Sequence, residues 1–181
     1  MTKARAVNEI KLTFAQAREL FNYDPVTGVM TRKFTRGNTA AGGVVGSLNG
    51  GGYRVVQIEG TTYIMARLIW FYMTGVWPVE VDHVNRIRDD DRWCNLREAT
   101  RAQNCANKKN EFKPNKHGFR GVTRNAPGYA AHINVDNEFI HLGTFRSAVQ
   151  AAIAYDMAAL EHHGPFAVFN FSGKKRDWLL V

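Results

Sequence analysis

The sequence predicts an α+β fold in two modules: a strand-strand-helix unit behind a strand-rich lead-in, and a three-stranded antiparallel sheet packed on one helix. Three observations carry this. Short strand-like segments bounded by turn residues recur in both halves of the chain, and each half closes on a capped helix. The polar tract EFKPNKHG, residues 111–118, separates them. A length of 181 residues with 45% hydrophobic content suits one domain or two small ones and excludes a disordered chain. The expected boundaries are 1–52 for the lead-in, 53–110 for the strand-strand-helix unit, 111–117 for a linker, 118–173 for the second module and 174–181 for a tail.

Thr13 is placed to cap a short helix with Phe14, Ala17, Leu20 and Phe21 on one face, ending before Asp24-Pro25. Strands are expected over Val29–Phe34, Val44–Leu48, Tyr53–Ile58 and Thr62–Ile64. Six glycines fall between positions 42 and 52. A phosphate-cradling loop would need a terminal Gly-Lys-Ser/Thr, which is missing, so the tract reads as a hairpin. An apolar helix follows over Ala66–Thr74, closed by Gly75 and Pro78.

A second capped helix is expected from Thr100, paired with Gln103, to about Lys109. Beyond the linker, strands fall at Gly118–Arg124, Tyr129–Val135 and Glu138–Phe145, split by Ala126-Pro127-Gly128 and Asp136-Asn137. Ser147, with Gln150 three residues on, opens the longest helix, which ends at His162 or His163 before Gly164-Pro165. Val149, Ile153, Met157 and Leu160 form its apolar stripe, flanked by alanines that let it lie close to a sheet.

The longest apolar run, about Ile64 to Trp77, is broken by Arg67 and Gly75 and is too short to span a membrane. No signal-peptide pattern opens the chain, so a cytoplasmic location is expected, with no membrane partner. Cys94 and Cys105 match no zinc or disulfide spacing and read as small core residues. The formal net charge of +8 makes a polyanion the first partner to consider. Residues 101–124 hold seven bases against Glu111 alone, whereas residues 80–91 hold five acids against Arg86 and Arg88. A basic stretch beside an acidic one suits an enzyme that grips phosphates and holds a cation.

The segment VDHVNRIRDDDRWCNLREATRAQNCANKK carries the chemistry. A lone His83 is more often structural than catalytic, but its neighbours matter. Asp82-His83, Asn95 and Asn104 follow at intervals of 12 and 9 residues on an expected strand, loop, strand and helix. In these marks the chain, over about residues 53–110, resembles the HNH endonucleases and in particular their homing-endonuclease branch. The resemblance implies a ββα-metal nuclease that holds one divalent metal and hydrolyses DNA, nicking one strand at a time. It implies His83 as the base, Asn95 as the asparagine that braces the loop, and Asp82 and Asn104 as metal ligands.

The residue chemistry agrees. A histidine titrating near neutrality activates water. A carboxylate and an amide are hard oxygen donors suited to Mg²⁺, or to another divalent cation such as Mn²⁺. Asp82 and His83, adjacent in a strand, point to opposite sides. Asp89, Asp90 and Asp91 read as solvated at a loop tip. On the face of Asn104, Lys108 is a candidate phosphate contact, with Lys109 beside it, and Asn107 a candidate auxiliary ligand.

In the second module, Phe119-Arg120-Gly121-Val122, Tyr129-Ala130-Ala131-His132-Ile133, Leu142-Gly143-Thr144-Phe145, the run Ala151–Ala159 and Asn170-Phe171 resemble the DNA-binding domain of plant ethylene-response factors, the Apetala type. Such domains also occur fused to phage and bacterial HNH nucleases. The resemblance implies a sheet that enters the major groove of double-stranded DNA, with Arg120, Arg124, His132, Asn134 and His141 as contact positions. Ile133, Ile140 and Leu142 are expected to face the helix. The oligomeric state is open, with a monomer favoured, and a regulator with a vestigial nuclease site is the rival reading.

Overall fold

In the computed structural model, residues 12–37, 39–107, 118–136 and 138–171 are described. The chain divides into two units, Met1–Thr100 and Arg101–Val181. Both are mixtures of short helices and small antiparallel sheets.

In the first unit, α1 (Phe14–Leu20) begins at a reciprocal capping box: the Gln16 N–H donates to the Thr13 hydroxyl, and the Thr13 N–H donates to Gln16 Oε1 at 2.9 Å. The expected helix includes Phe21, and no strand is expected before Val29. Phe21 leaves the helix into β1 (Phe21–Tyr23), which pairs with β2 (Met30–Arg32). The buried Phe21 ring thus serves the core from a strand. The connecting turn is tied by Asp24, whose carboxylate accepts from the Val26 N–H and the Thr27 hydroxyl.

β3 (Ser47–Leu48), β4 (Arg54–Ile58) and β5 (Thr61–Ile64) form a three-stranded sheet in sequence order. The glycine tract is a hairpin turn: Asn49 Oδ1 accepts from the N–H groups of Gly51 and Tyr53 at 2.9 and 3.0 Å. α2 (Met65–Thr74) ends on Gly75 in the left-handed region, φ 79°. It buries Met65, Ala66, Leu68, Ile69, Phe71 and Tyr72. Each of the larger side chains contributes about 1.5–3 kcal/mol by leaving water. β6 (Glu80–His83) and β7 (Leu96–Ala99) pair antiparallel, with Asp82 opposite Arg97 and His83 opposite Leu96.

The second unit begins with α3 (Arg101–Asn107). Its sheet runs β10-β9-β8, from β8 (Val122–Asn125), β9 (Gly128–Val135) and β10 (Glu138–Phe145), and α4 (Ala148–His163) packs on it. The Gln150 N–H donates to the Ser147 hydroxyl at the start of α4. Ile133 is buried against Tyr155, Ala158 and Ala159, with Ile140 and Leu142 beside it.

The stripe read as apolar core does not face the sheet. Val149, Met157 and Leu160 are exposed, and α4 buries Ala151, Ala152, Tyr155, Asp156, Ala158 and Ala159 instead. A helix pressed close to a sheet has room for alanine there, so the larger aliphatics turn outward. Cys94 and Cys105 are likewise exposed rather than core residues. In the Trp93–Asn95 turn it is Trp93 that packs against the core.

Gly121 sits where α4 meets the sheet. Its φ is 71°, and a Cβ there would lie 2.1 Å from Tyr155 Cδ2 and 2.5 Å from the His132 carbonyl oxygen. Gly60 has a similar φ of 78° with nothing near. Gly121→Ala should destabilise the second unit by about 3 kcal/mol, backbone strain and overpacking together. Gly60→Ala should cost about 1 kcal/mol. Hydrogen exchange of the β9 amides in the full chain reads the loss at Gly121, and that of the β4 and β5 amides the loss at Gly60; undiminished β9 protection in Gly121→Ala would contradict it.

Candidate active site

His83 ends β6 with its side chain buried, and its Nε2 lies 3.0 Å from Asp91 Oδ1. The two side chains are 6% and 2% exposed. This corrects the reading of the Asp89–Asp91 run as solvated. Asp89 is exposed, but the chain turns inward after Asp90 and Asp91 is buried. The sequence concealed this because the acids that share a run do not share an environment. The neighbouring Trp93, an aromatic re-entering the core, was the available signal.

Asp91 is fixed from the lead-in. The Tyr23 hydroxyl donates to the Asp91 carbonyl at 2.8 Å, and the Trp93 N–H donates to the Pro25 carbonyl at 3.0 Å. Burial, then the charge of Asp91, pushes the Tyr23 phenol well above its ordinary range, so it stays protonated and donating. Gly28, at φ 76°, permits the approach: a Cβ would lie 2.6 Å from the Arg92 nitrogen and 2.7 Å from the Asp91 carbonyl carbon. The Thr27 hydroxyl and then the Val26 N–H hold the Asp24 carboxyl of the same turn below its usual range.

Asn95 spans the loop between the two strands. Its Oδ1 accepts from the Asn85 N–H at 2.9 Å, while its Nδ2 donates to Asn85 Oδ1 at 3.0 Å and to the Asp90 carbonyl at 2.8 Å. Asp90 in turn accepts from Arg92 Nε at 2.7 Å and from Asn85 Nδ2 at 2.5 Å. The Arg92 hydrogen bond first, with help from Asn85, pulls the Asp90 carboxyl down to about 2. The stability this lends the loop is therefore present above the ordinary carboxylate range near pH 4 and is lost as pH falls toward 2.

Asp82, also buried, accepts on Oδ2 from both Nε and Nη2 of Arg97, at 2.8 and 2.6 Å. Among the described residues no group of three or more His, Cys, Asp or Glu gathers as a metal site. One carboxylate with an amide is nonetheless a donor set of the kind Mg²⁺ uses, since that ion keeps most of its waters. Asn104, the expected amide ligand, lies half-buried on α3 in the second unit, and Asn107 is buried there. Tyr53 lies against the His83 ring with centroids 6.2 Å apart. Arg88 covers Tyr53 at 5.4 Å and donates to the Gly51 carbonyl at 2.9 Å.

On the second unit's sheet, His132 pairs across from His141, and Asn134 from Phe139. The His132 ring stacks on Phe139, centroids 4.7 Å apart, and Phe139 is 68% exposed. Burial, then the nearby His141, holds His132 below its ordinary value. Arg124 is exposed and lies over the Tyr129 ring at 4.9 Å. Arg120 is more occupied: its Nη2 donates to the Ala106 carbonyl at 3.2 Å and its guanidinium lies 5.9 Å from the Tyr155 ring. Lys108 and Lys109 lie outside the described residues. No helix among the described residues is long and apolar enough to cross a membrane.

Residues 64–106 match the family model of the HNH endonucleases, a span that includes Asp82, His83, Asp91, Asn95 and Asn104. The chain is also similar to two transcription factors of Arabidopsis thaliana. Ethylene-responsive transcription factor ERF069 is 46% identical over 73 residues, which is 37% of this chain and 46% of that protein. Ethylene-responsive transcription factor WRI1 is 26% identical over 132 residues, 67% of this chain and 29% of that protein. The chain thus spans less than half the length of either relative. The chain carries a segment that matches the HNH endonuclease model and is similar over part of its length to ethylene-responsive transcription factors.

Proposed function

We propose that the chain is a metal-dependent DNA endonuclease of homing-endonuclease type, which hydrolyses phosphodiester bonds one strand at a time at sites chosen by its second module. The observation that carries this is a buried His83 with its ring held by Asp91, next to the buried carboxylate of Asp82, inside the segment that matches the HNH endonucleases. On this reading residues 53–110 form the ββα-metal nuclease unit and 118–173 the reading module.

His83 accepts a proton from water as the water oxygen attacks phosphorus, and the bond to the departing 3′ oxygen breaks. Asn95 keeps the loop beside the base in place. Asp82 and Asn104 hold Mg²⁺ or Mn²⁺, which when bound supplies positive charge to the transition state and the departing oxygen. The partner is double-stranded DNA, bound by a monomer. Lys108, Lys109, Arg120 and Arg124 contact phosphates or bases, and His132, Asn134 and His141 face the groove. Asn134 has the amide that pairs with adenine.

Each phosphate neutralised by the basic stretch steepens the fall of log K with log salt by about 0.9. Changing Lys108, Lys109, Lys113 and Lys116 to Gln should flatten that slope in a binding titration, and an unchanged slope would place the DNA elsewhere. The transcription-factor names of the relatives favour the rival reading, a regulator with an inactive nuclease site. Supercoiled plasmid incubated with protein and Mg²⁺ separates the two: relaxed circles support the nuclease, and retarded but intact plasmid supports the regulator.

A further inference from the structure

A carboxylate accepts hydrogen bonds and does not donate them, so the 3.0 Å contact between Asp91 Oδ1 and His83 Nε2 requires a proton on Nε2. In a neutral imidazole the lone pair then belongs to Nδ1. Stability alone does not account for this arrangement. Asp91 Oδ2 is buried with no hydrogen-bond partner among the described residues, and a buried unpartnered oxygen is destabilising.

Asp91 is nonetheless anchored on its main chain from both sides. The Tyr23 hydroxyl donates to its carbonyl, Asn95 Nδ2 donates to the carbonyl of the preceding Asp90, and the Gly28 turn lies against the peptide that joins it to Arg92. Tyr23 and Gly28 bracket the β1–β2 connection, more than sixty residues before Asp91 in sequence. The carboxylate is thus placed by the strand-rich lead-in and by the same asparagine that braces the loop.

We propose that Asp91 is the positioning residue of the nuclease reaction, fixing His83 as the Nε2–H tautomer so that Nδ1 takes the proton of the attacking water, and that the β1–β2 hairpin holds Asp91 for this purpose. The proposal rests on His83 being the base. As the ring takes its second proton it becomes a cation, and the Asp91 carboxylate faces that charge. The β1–β2 hairpin thereby becomes part of the catalytic apparatus.

The test uses the full chain, supercoiled plasmid and Mg²⁺, with Asp91→Ala, Asp91→Asn, Tyr23→Phe and His83→Ala. Asp91→Ala should lower kcat about 10²-fold, within the range of general-base effects, with KM and DNA affinity in EDTA changed by less than about twofold. Asp91→Asn retains an acceptor and should lose about tenfold. Tyr23→Phe should lose about fivefold through the missing anchor.

Nitrogen-15 spectra of the imidazole give a readout independent of turnover. Wild-type His83 should be a single Nε2–H tautomer, the Asn variant should keep it, and the Ala variant should show a mixture. A wild-type Nδ1–H tautomer, or full kcat in folded Asp91→Ala and Asp91→Asn, would overturn the proposal. Should Asp91→Ala not fold, the Asn variant and the wild-type spectrum still decide. Inactive His83→Ala beside fully active Asp91 variants defeats this inference alone, whereas active His83→Ala defeats the assignment of His83 as the base as well.

Discussion

His83→Ala should leave supercoiled plasmid intact, with the cleavage rate lowered by about 10²–10⁴-fold, while DNA affinity stays within about twofold of wild type. A general base acts on the transition state and contributes little to ground-state binding, so the loss should fall on kcat rather than KM. The fold should tolerate the change in part. His83 sits at the end of β6, and its backbone partners in β7 and the loop remain. The outcome is read by gel for nicking and by fluorescence anisotropy for binding in EDTA. Substantial nicking by the variant would remove His83 from the reaction.

Asp156→Ala should be the most damaging single truncation in the second unit. Asp156 is fully buried on α4, and its carboxylate accepts from the N–H of Asn170 at 2.7 Å and of Phe171 at 3.0 Å. Asn170 then pairs with Arg120 in both directions: Oδ1 accepts from the Arg120 N–H, and Nδ2 donates to the Arg120 carbonyl at 3.1 Å. One buried carboxylate therefore fastens the C-terminal segment and, through it, the entry to the sheet. Removing it strands two main-chain donors and should cost about 2–4 kcal/mol. Hydrogen exchange should show lost protection in β8 and β9 with little change in β4 and α2. Asp156→Asn, which retains one acceptor oxygen, should lie between. Equal protection in the alanine variant would show that the clasp carries no stability.

What the sequence disclosed was the chemistry that local pattern encodes. Thr13 and Ser147 announced their helices because capping is decided within three residues. β10 was legible from Glu138 to Phe145 because turn residues at Asp136-Asn137 and the helix cap at Ser147 bound it locally. Three things were not legible, each because a distant contact decides it. β1 forms because Phe21 finds β2, not because three residues prefer a strand. The outward turn of Val149, Met157 and Leu160 follows from how closely α4 approaches the sheet, which periodicity does not encode. Asp91 looked like the third member of a solvated acidic run, and only the arrival of Tyr23 and the Gly28 turn makes it a buried partner of His83.

A hydrolytic, single-strand cut made by the His83 site leaves products that identify it. Supercoiled plasmid should be converted to open circles only when Mg²⁺ or Mn²⁺ is present, and DNA ligase should reseal those circles. Resealing requires the 3′-hydroxyl and 5′-phosphate that departure of the 3′ oxygen leaves. Open circles that resist ligase, or plasmid that is bound and never opened, would contradict the account.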